Sequence, residues 1–258
     1  LTELASVNHR TGVTEKCVNL GYFYPVLCGW KDGGFCETVY DFIGDPFYLD
    51  CAEYQICLTV PKEYEMASGC RVIEEKCLES KKQYTMSAMN FREAAFVLSK
   101  EYEKATAEVG DKTLTYYAYN QEKAQQGLRI AKQAFCLYQE KFGQYAFDNF
   151  TIAETGFCTG GMEYSGLGVV SDLLQGEQLT WAIAHETAHQ WWYAAVGSNQ
   201  LDEAWQDEGL AEYSCVIFFE KYADYGLTRS GLVAQALKEY RLYADVYGPA
   251  IGQWDTRM

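Results

Sequence analysis

The pentapeptide His-Glu-Thr-Ala-His at residues 185–189 constrains the fold more than any other feature of the sequence. The spacing of apolar residues around it predicts a helix over residues 178–196. Residues four apart on a helix project from one face, one turn apart, so His185 and His189 can bind one metal ion while Glu186 lies at its edge. Because the whole chain has three histidines, this pattern is hard to ascribe to chance. It predicts a zinc centre with a carboxylate base beside it.

A third ligand must come from elsewhere, since a catalytic zinc takes three protein ligands and keeps one position open. Glu208 follows His189 after eighteen intervening residues, near the start of a second predicted helix. A short reversal of the chain between the helices would bring Glu208 back to the two histidines. Glu212, one turn further on, is interpreted as a surface residue or as a support behind the ligands. The sequence therefore predicts Glu208 as the third ligand.

The segment Gly-Gly-Met-Glu-Tyr at residues 160–164 is the second candidate for chemistry. Glycine lets a backbone approach a ligand closely, as Gly160 and Gly161 would do. The carboxylate of Glu163 could bind a cation such as a free amine. Taken alone, this glutamate could equally be an exposed loop residue.

Charge and hydropathy exclude two classes of partner. The chain carries 21 basic and 36 acidic residues, a net charge of -15, which repels phosphate backbones and disfavours nucleic acid. Its apolar runs are far shorter than the roughly 18 residues that a membrane span needs. Because 48% of its residues are apolar, the chain can bury a hydrophobic core. We expect a globular protein without a membrane span.

Ten cysteines bear on the cellular compartment, and seven of them lie in the first 80 residues. No two are spaced Cys-x-x-Cys, which disfavours a cysteine zinc site. The number predicts several disulfides and an extracellular or cell-surface location. The alternative is a reducing cytoplasm in which the cysteines act as small buried apolar residues. Neither the disulfide pairing nor the oligomeric state follows from the sequence.

Hydrophobic periodicity predicts strands in the first part of the chain and helices in the last. The predicted strands cover residues 18–27, 52–60, 113–119 and 147–153. The predicted helices cover residues 88–108, 121–142, 178–196, 204–222 and 230–247. The pattern is typical of an α+β fold.

Taken in order, residues 160–164, residues 185–189 and Glu208 resemble a known family, the zinc aminopeptidases of the membrane alanyl aminopeptidase family. These gluzincins include leukotriene-A hydrolase. Residues 19–27 and 44–61 are also similar to the latter part of that family's N-terminal β-domain. The resemblance therefore covers most of the chain, and it identifies the chain as a fragment that is incomplete at both ends.

The resemblance implies a particular α+β architecture. Residues 1–107 would form part of a saddle-like, β-rich N-terminal domain, and residues 108–258 a mainly helical, thermolysin-like catalytic domain. It also implies that residues 84–103 are strands that close the first domain. That implication replaces the helix that propensity predicts over residues 88–108, because tertiary context often overrides propensity.

The resemblance further implies the roles of the metal-site residues. His185, His189 and Glu208 would hold one Zn²⁺ per chain, and Glu186 would be the catalytic base. The activity implied is zinc-dependent removal of N-terminal residues from peptides.

The resemblance also implies how the substrate is held. Glu163 would bind the free α-ammonium of the peptide, in a cleft lined by Gly160, Gly161 and Met162. The partners would therefore be peptides with a free N-terminus.

Three departures from the family's pattern leave alternatives open. Tyr164 stands where the family commonly has asparagine, and the family's oxyanion-stabilising tyrosine is expected beyond Met258. The family's amine-anchoring residue in the N-terminal domain is not recognisable near Pro25. The alternatives are a thermolysin-type endopeptidase with the same zinc, and a zinc-containing binding domain with little or no turnover.

Overall fold

The structure of the protein is a computed structural model that describes residues 10–36, 48–156 and 160–247. The strands in these ranges are β1 (Thr11–Val13), β2 (Cys17–Leu20), β3 (Trp30–Lys31), β4 (Gly34–Phe35), β5 (Ala52–Pro61), β6 (Glu65–Ser68), β7 (Arg71–Cys77), β8 (Lys81–Phe91), β9 (Phe96–Ser99), β10 (Glu103–Val109), β11 (Lys112–Ala118), β12 (Asn149–Thr155), β13 (Gly161–Tyr164) and β14 (Leu167–Ser171). The α-helices are α1 (Gln121–Phe142), α2 (Gly176–Ala188), α3 (Gln200–Glu203), α4 (Glu208–Lys221) and α5 (Arg229–Tyr247). Short 3-10 turns lie at Ala204–Gln206 and Ala223–Tyr225.

The first part of the chain consists of antiparallel strands. One sheet has the order β1-β2-β9-β6, another the order β5-β8-β7, and β3 pairs with β4. The helix predicted over residues 88–108 is wrong, and strands lie there, as the family resemblance implies. The reason is visible in β8, where Tyr84, Met86 and Ala88 are buried with the two-residue period of a strand facing a core.

The predicted strand over residues 18–27 is also too long. Its pairing as β2 ends at Leu20, and Tyr22 takes a left-handed backbone conformation with φ 51°. An extended strand cannot continue through that conformation. By contrast, the strand predicted over residues 52–60 is confirmed as β5.

The second part of the chain contains a five-stranded sheet, in which the strand order is β10-β11-β12-β14-β13. Strands β11, β12 and β14 are parallel, and the outer strands β10 and β13 run antiparallel to their neighbours. A parallel pair needs a crossover connection, and α1 supplies it between β11 and β12. The arrangement leaves β13 at one edge of the sheet.

Helix α1 confirms the prediction for residues 121–142. The Asn120 side chain accepts a hydrogen bond from the Lys123 backbone N–H at 2.8 Å, which caps the first turn. The helix ends at Gly143, whose φ of 105° suits glycine. On its buried face, Gly127 lies directly against the ring of Tyr116 on β11.

Helix α2 is shorter than the prediction over residues 178–196, since its last residue is Ala188. The backbone tightens there, and the Trp191 N–H bonds to the carbonyl three residues before it, that of Ala188. The His189 N–H still bonds to the His185 carbonyl at 3.2 Å, so the two histidines keep their one-turn spacing.

The last two predicted helices are confirmed, with one modification. The segment predicted as one helix over residues 204–222 consists of a 3-10 turn followed by α4. Helix α5 starts one residue before the predicted range and ends with it. Helix α2, which contains His185 and Glu186, packs against α1, α4 and β14, so it lies in the middle of the second part of the chain.

The fold is thus a mixture of helices and several sheets, consistent with the α+β prediction. The division into a saddle-like and a thermolysin-like domain stays a prediction. The residue at which we place the boundary, Ala107, lies inside β10, which pairs with β11.

Two predictions from composition can be compared with the described residues. None of the described helices is long and apolar enough to span a membrane. The nine cysteines in the described ranges form no disulfide, so the disulfide prediction is not met there. Cys17, Cys70 and Cys215 are buried, as the alternative of small apolar residues expects, and several of the others are exposed on different elements. The location of the protein stays a prediction.

Candidate metal centre and active site

The structure brings the three predicted metal ligands together. His185 Nε2 lies 3.0 Å from His189 Nε2 and 3.1 Å from Glu208 Oε2. His189 Nε2 lies 3.8 Å from the same carboxylate oxygen. Ligand atoms of a tetrahedral zinc site, with bonds of about 2.0–2.1 Å, lie roughly 3.3 Å apart. The donor set and its spacing therefore fit Zn²⁺.

Neighbouring groups orient the two imidazoles. His189 Nδ1 lies 3.1 Å from the Trp192 carbonyl, so it carries the proton and leaves Nε2 free to bind a metal. The His185 ring stacks on Trp181 with centroids 4.8 Å apart. Its Nδ1 faces a carboxylate oxygen of the half-exposed Glu212 at 3.7 Å. Glu212 is thus exposed at the surface, and its carboxylate also lies behind His185, so both of its sequence interpretations agree with the structure.

The electrostatics of this cluster favour a cation. Burial lowers the pKa of His189, but the carboxylates of Glu163, Glu208 and Glu186 outweigh it and raise that pKa to about 10. Burial likewise raises the pKa of Glu208, but His189 and the hydrogen bond from His185 outweigh it and hold the pKa well below its usual range. The carboxylates therefore hold a positive charge among them, which a dication would supply more strongly.

Glu186, the predicted base, is buried beside the ligands. Within the described part of the chain its Oε2 has no hydrogen-bond partner. Burial raises the pKa of this carboxyl, and the nearby carboxylates of Glu163 and Glu208 raise it further. Its Oε1 lies over Gly161, and a Cβ added to that residue would come within 2.3 Å of the oxygen. Glycine at 161 is what leaves room for the base.

The other predicted substrate residues lie on or next to β13. Glu163 is buried, and one of its carboxylate oxygens accepts a hydrogen bond from Gln200 Nε2 at 3.0 Å. Met162 packs its side chain into a buried apolar cluster, so its backbone is what it can offer a peptide. Gly161 pairs with Val170 of β14, and Gly160 directly precedes the strand. An edge strand such as β13 can pair with an extended peptide.

Sequence reasoning missed Gln200 and Asp207. Gln200 Nε2 also donates to Asp207 Oδ2 at 2.6 Å, so its amide bridges Asp207 and Glu163. Asp207 caps α4 by accepting a hydrogen bond from the Glu208 N–H at 3.0 Å. Aspartate is a common N-cap residue, but the helix predicted from residue 204 placed Asp207 inside the helix instead of at its start. Nothing in the sequence marked Gln200.

The sequence also gave no indication of a second buried network of hydrogen bonds, which is centred on Glu93. Glu93, in the loop between β8 and β9, accepts a hydrogen bond from the Ser165 N–H at 2.6 Å and another from the Tyr193 hydroxyl. The Tyr193 hydroxyl lies 2.8 Å from that of Tyr22. Burial, with a contribution from Glu163, raises the pKa of Glu93 to about 7. The network connects the first sheets to the segments that follow β13 and α2.

A cavity of about 460 Å³ opens beside the candidate site. Gly160 and Trp181 line it, together with Glu212. It therefore adjoins the glycine segment and the residues behind His185, but none of the three candidate ligands and neither Glu163 nor Glu186 lines it.

Comparison with known proteins gives a distant similarity. No family model matches the sequence. Glutamyl aminopeptidase of Rattus norvegicus is 25% identical to the chain over 181 residues, and that of Homo sapiens is 26% identical over 182 residues. Each match covers 63% of the chain and 19% of the relative. The chain therefore spans about a fifth of the length of these curated relatives, and the similarity supports a peptidase at the level of a family.

Proposed function

We propose that the protein is the partial catalytic region of a zinc-dependent aminopeptidase of the membrane alanyl aminopeptidase family. The observation that carries the proposal is the convergence of His185, His189 and Glu208 within 4.8 Å of one another. The buried carboxylates of Glu186 and Glu163 flank this centre on the side of β13. The distant similarity to two glutamyl aminopeptidases supports the same class.

The three ligands would hold one Zn²⁺ through two imidazole nitrogens and one carboxylate oxygen. When bound there, zinc supplies Lewis-acid chemistry, which polarises a carbonyl and acidifies water. Glu186 takes a proton from the attacking water and passes it to the leaving amine. Burial raises the pKa of this carboxyl, which makes its carboxylate a stronger acceptor for a proton from water.

Glu163 is the residue that would make the proposed enzyme an exopeptidase. An ammonium group gains most from a carboxylate in a buried site, where water screens the charges weakly. The backbone of β13 would align the peptide along the sheet edge, with its N-terminus at Glu163. The net charge of -15 favours the approach of a substrate that carries an ammonium group.

The test is hydrolysis of an aminoacyl reporter with a free α-amine beside the same reporter N-acetylated, with zinc-loaded protein. We expect cleavage of the free form only. Glu186→Gln should retain zinc and lose about 10²–10⁴ in rate, the usual contribution of a general base. Equal cleavage of both reporters would favour the endopeptidase alternative. No cleavage by protein that holds zinc would favour the binding domain.

A further inference from the structure

We propose that Gln200 is a second anchor for the ammonium group of the substrate, accepting one of its N–H groups through Oε1 next to Glu163. The inference rests on the proposed function, because it assigns a residue to the same amine site. It supplies an anchor from the segment after α2, whereas the first part of the chain shows no recognisable one.

The orientation of the Gln200 amide is fixed by two carboxylates. Its Nε2 donates to Glu163 Oε1 at 3.0 Å and to Asp207 Oδ2 at 2.6 Å. An amide nitrogen has two hydrogens, and both are used here. Rotating the amide by half a turn would place its oxygen against two carboxylate oxygens, which repel it. The carbonyl oxygen is therefore held in one position.

That oxygen is left without a donor. Gln200 is only 2% exposed, and in the described part of the chain its Oε1 has no hydrogen-bond partner. A buried acceptor without a partner is costly, so such an atom in a native protein calls for an explanation. The neighbouring groups show which donor fits, because Glu163 and Asp207 place negative charge on either side of the amide.

An ammonium group meets both requirements. It carries three N–H donors and a positive charge, so it can bind the Glu163 carboxylate and the Gln200 carbonyl oxygen together. An N-acetylated terminus has one donor and no charge, and it would leave the carboxylate without compensation. Gln200 would thus strengthen the preference for a free amine over an N-acetylated terminus that Glu163 provides. Asp207 contributes by holding the Gln200 amide in place.

The experiment compares two ligands that differ in the amine alone. L-leucine hydroxamate and the hydroxamate of 4-methylpentanoic acid are titrated calorimetrically into zinc-loaded protein, and the ratio of their dissociation constants measures the benefit of the amine. We expect Gln200→Met to reduce this ratio about tenfold to a hundredfold, as for a lost hydrogen bond to a charged group. Binding of the amine-free ligand should not change.

Two further variants make the result decisive. Gln206→Met, the same change at a partly exposed glutamine, should leave the ratio unchanged. Gln200→Asn keeps an amide, but its side chain is shorter by one methylene, so it should withdraw the acceptor oxygen from the ammonium and lower the ratio even if Gln200→Met does not fold. A ratio in Gln200→Asn equal to that of the wild type would overturn the inference.

The outcomes also separate the inference from the proposed function. An unchanged ratio in Gln200→Met, or an equal loss of affinity for both ligands, would overturn the role of Gln200 alone. If the wild-type protein itself shows no preference for the amine, the amine site at Glu163 fails, and the inference fails with it.

Discussion

At the scale of single residues, the candidate site is a group of carboxylates that surrounds two imidazoles. Glu163, Glu186 and Asp207 are almost fully buried, and so are His185 and His189. Buried charges of one sign are costly unless a counter-charge compensates them. The raised pKa of His189 shows how strongly these carboxylates attract positive charge. The dication that we propose at His185, His189 and Glu208, and the ammonium that we propose at Glu163, would compensate them.

The contact between Gly161 and Glu186 gives a prediction about the base. A Cβ at position 161 would lie 2.3 Å from Glu186 Oε1 and 2.6 Å from the Val169 carbonyl, so one of them must move. Small displacements of a catalytic group can cost about a hundredfold in rate. We expect Gly161→Ala to lower kcat by at least that order while zinc content stays at the wild-type level.

Gly209→Ala is the matched control for this change. Gly209 is next to the ligand Glu208, but a Cβ there meets no atom within 4 Å. Rate assays of the two variants beside zinc analysis check the prediction. Full activity in Gly161→Ala would contradict the position we assign to Glu186.

At the scale of elements, the packing of α1 on the central sheet gives a second prediction. A Cβ at Gly127 would come within 2.4 Å of the buried Tyr116 ring. Alanine favours a helix by up to about 1 kcal/mol over glycine. Overpacking a core costs about 1–3 kcal/mol, so the clash should outweigh that gain. We expect Gly127→Ala to lower the free energy of unfolding, measured in urea.

Gln125→Ala, on the exposed face of the same helix, should be neutral or slightly stabilising. If Gly127→Ala stabilised the protein as much as Gln125→Ala does, α1 could not pack on Tyr116 as described.

Elements with strong local signals were the ones that the sequence predicted well. Helix α1 has a capping asparagine, a regular apolar face and a terminal glycine, and its limits match the prediction. The strands β8 to β10 and the loops between them contain residues such as Ala94, Ala95 and Glu103 that favour helices, and pairing between distant segments overrides that preference. Only the family resemblance indicated strands there.

The residues of the candidate site also divide into those that local geometry predicts and those that depend on the tertiary fold. The spacing of His185, His189 and Glu208 predicted which ligands meet, because a helical turn and a short reversal are local geometry. Gln200 and Glu93 could not be predicted, since their partners lie 37 and 100 residues away in sequence. Contacts of that kind depend on the tertiary fold.

At the scale of the whole molecule, Glu93 links the first sheets to the segments that follow β13 and α2, and it gives a prediction about pH. Burial raises its pKa from 4.5 to about 7. Between these values the unfolded carboxyl has lost its proton while the folded one keeps it, so stability falls as pH rises through this window. The fall attributable to Glu93 should approach about 3 kcal/mol above pH 7.

Glu93→Gln tests this directly, because glutamine keeps an acceptor for the Ser165 N–H and has no charge to bury. We expect the difference in unfolding free energy between variant and wild type to shift in favour of the variant as pH rises from 4.5 to 7. Measurements in urea across this range check it. A difference that does not change with pH would show that Glu93 is not the titrating group.

The most direct test of the proposed metal centre is the zinc content of the purified protein, measured by mass spectrometry after dialysis. We expect one zinc per chain in the wild type and in the control Glu203→Ala, which changes an exposed glutamate close to the site. We expect loss of zinc in Glu208→Ala, because two imidazoles alone bind the ion far more weakly. Undiminished zinc in Glu208→Ala, or none in the wild type, would contradict the metal centre and the function proposed from it.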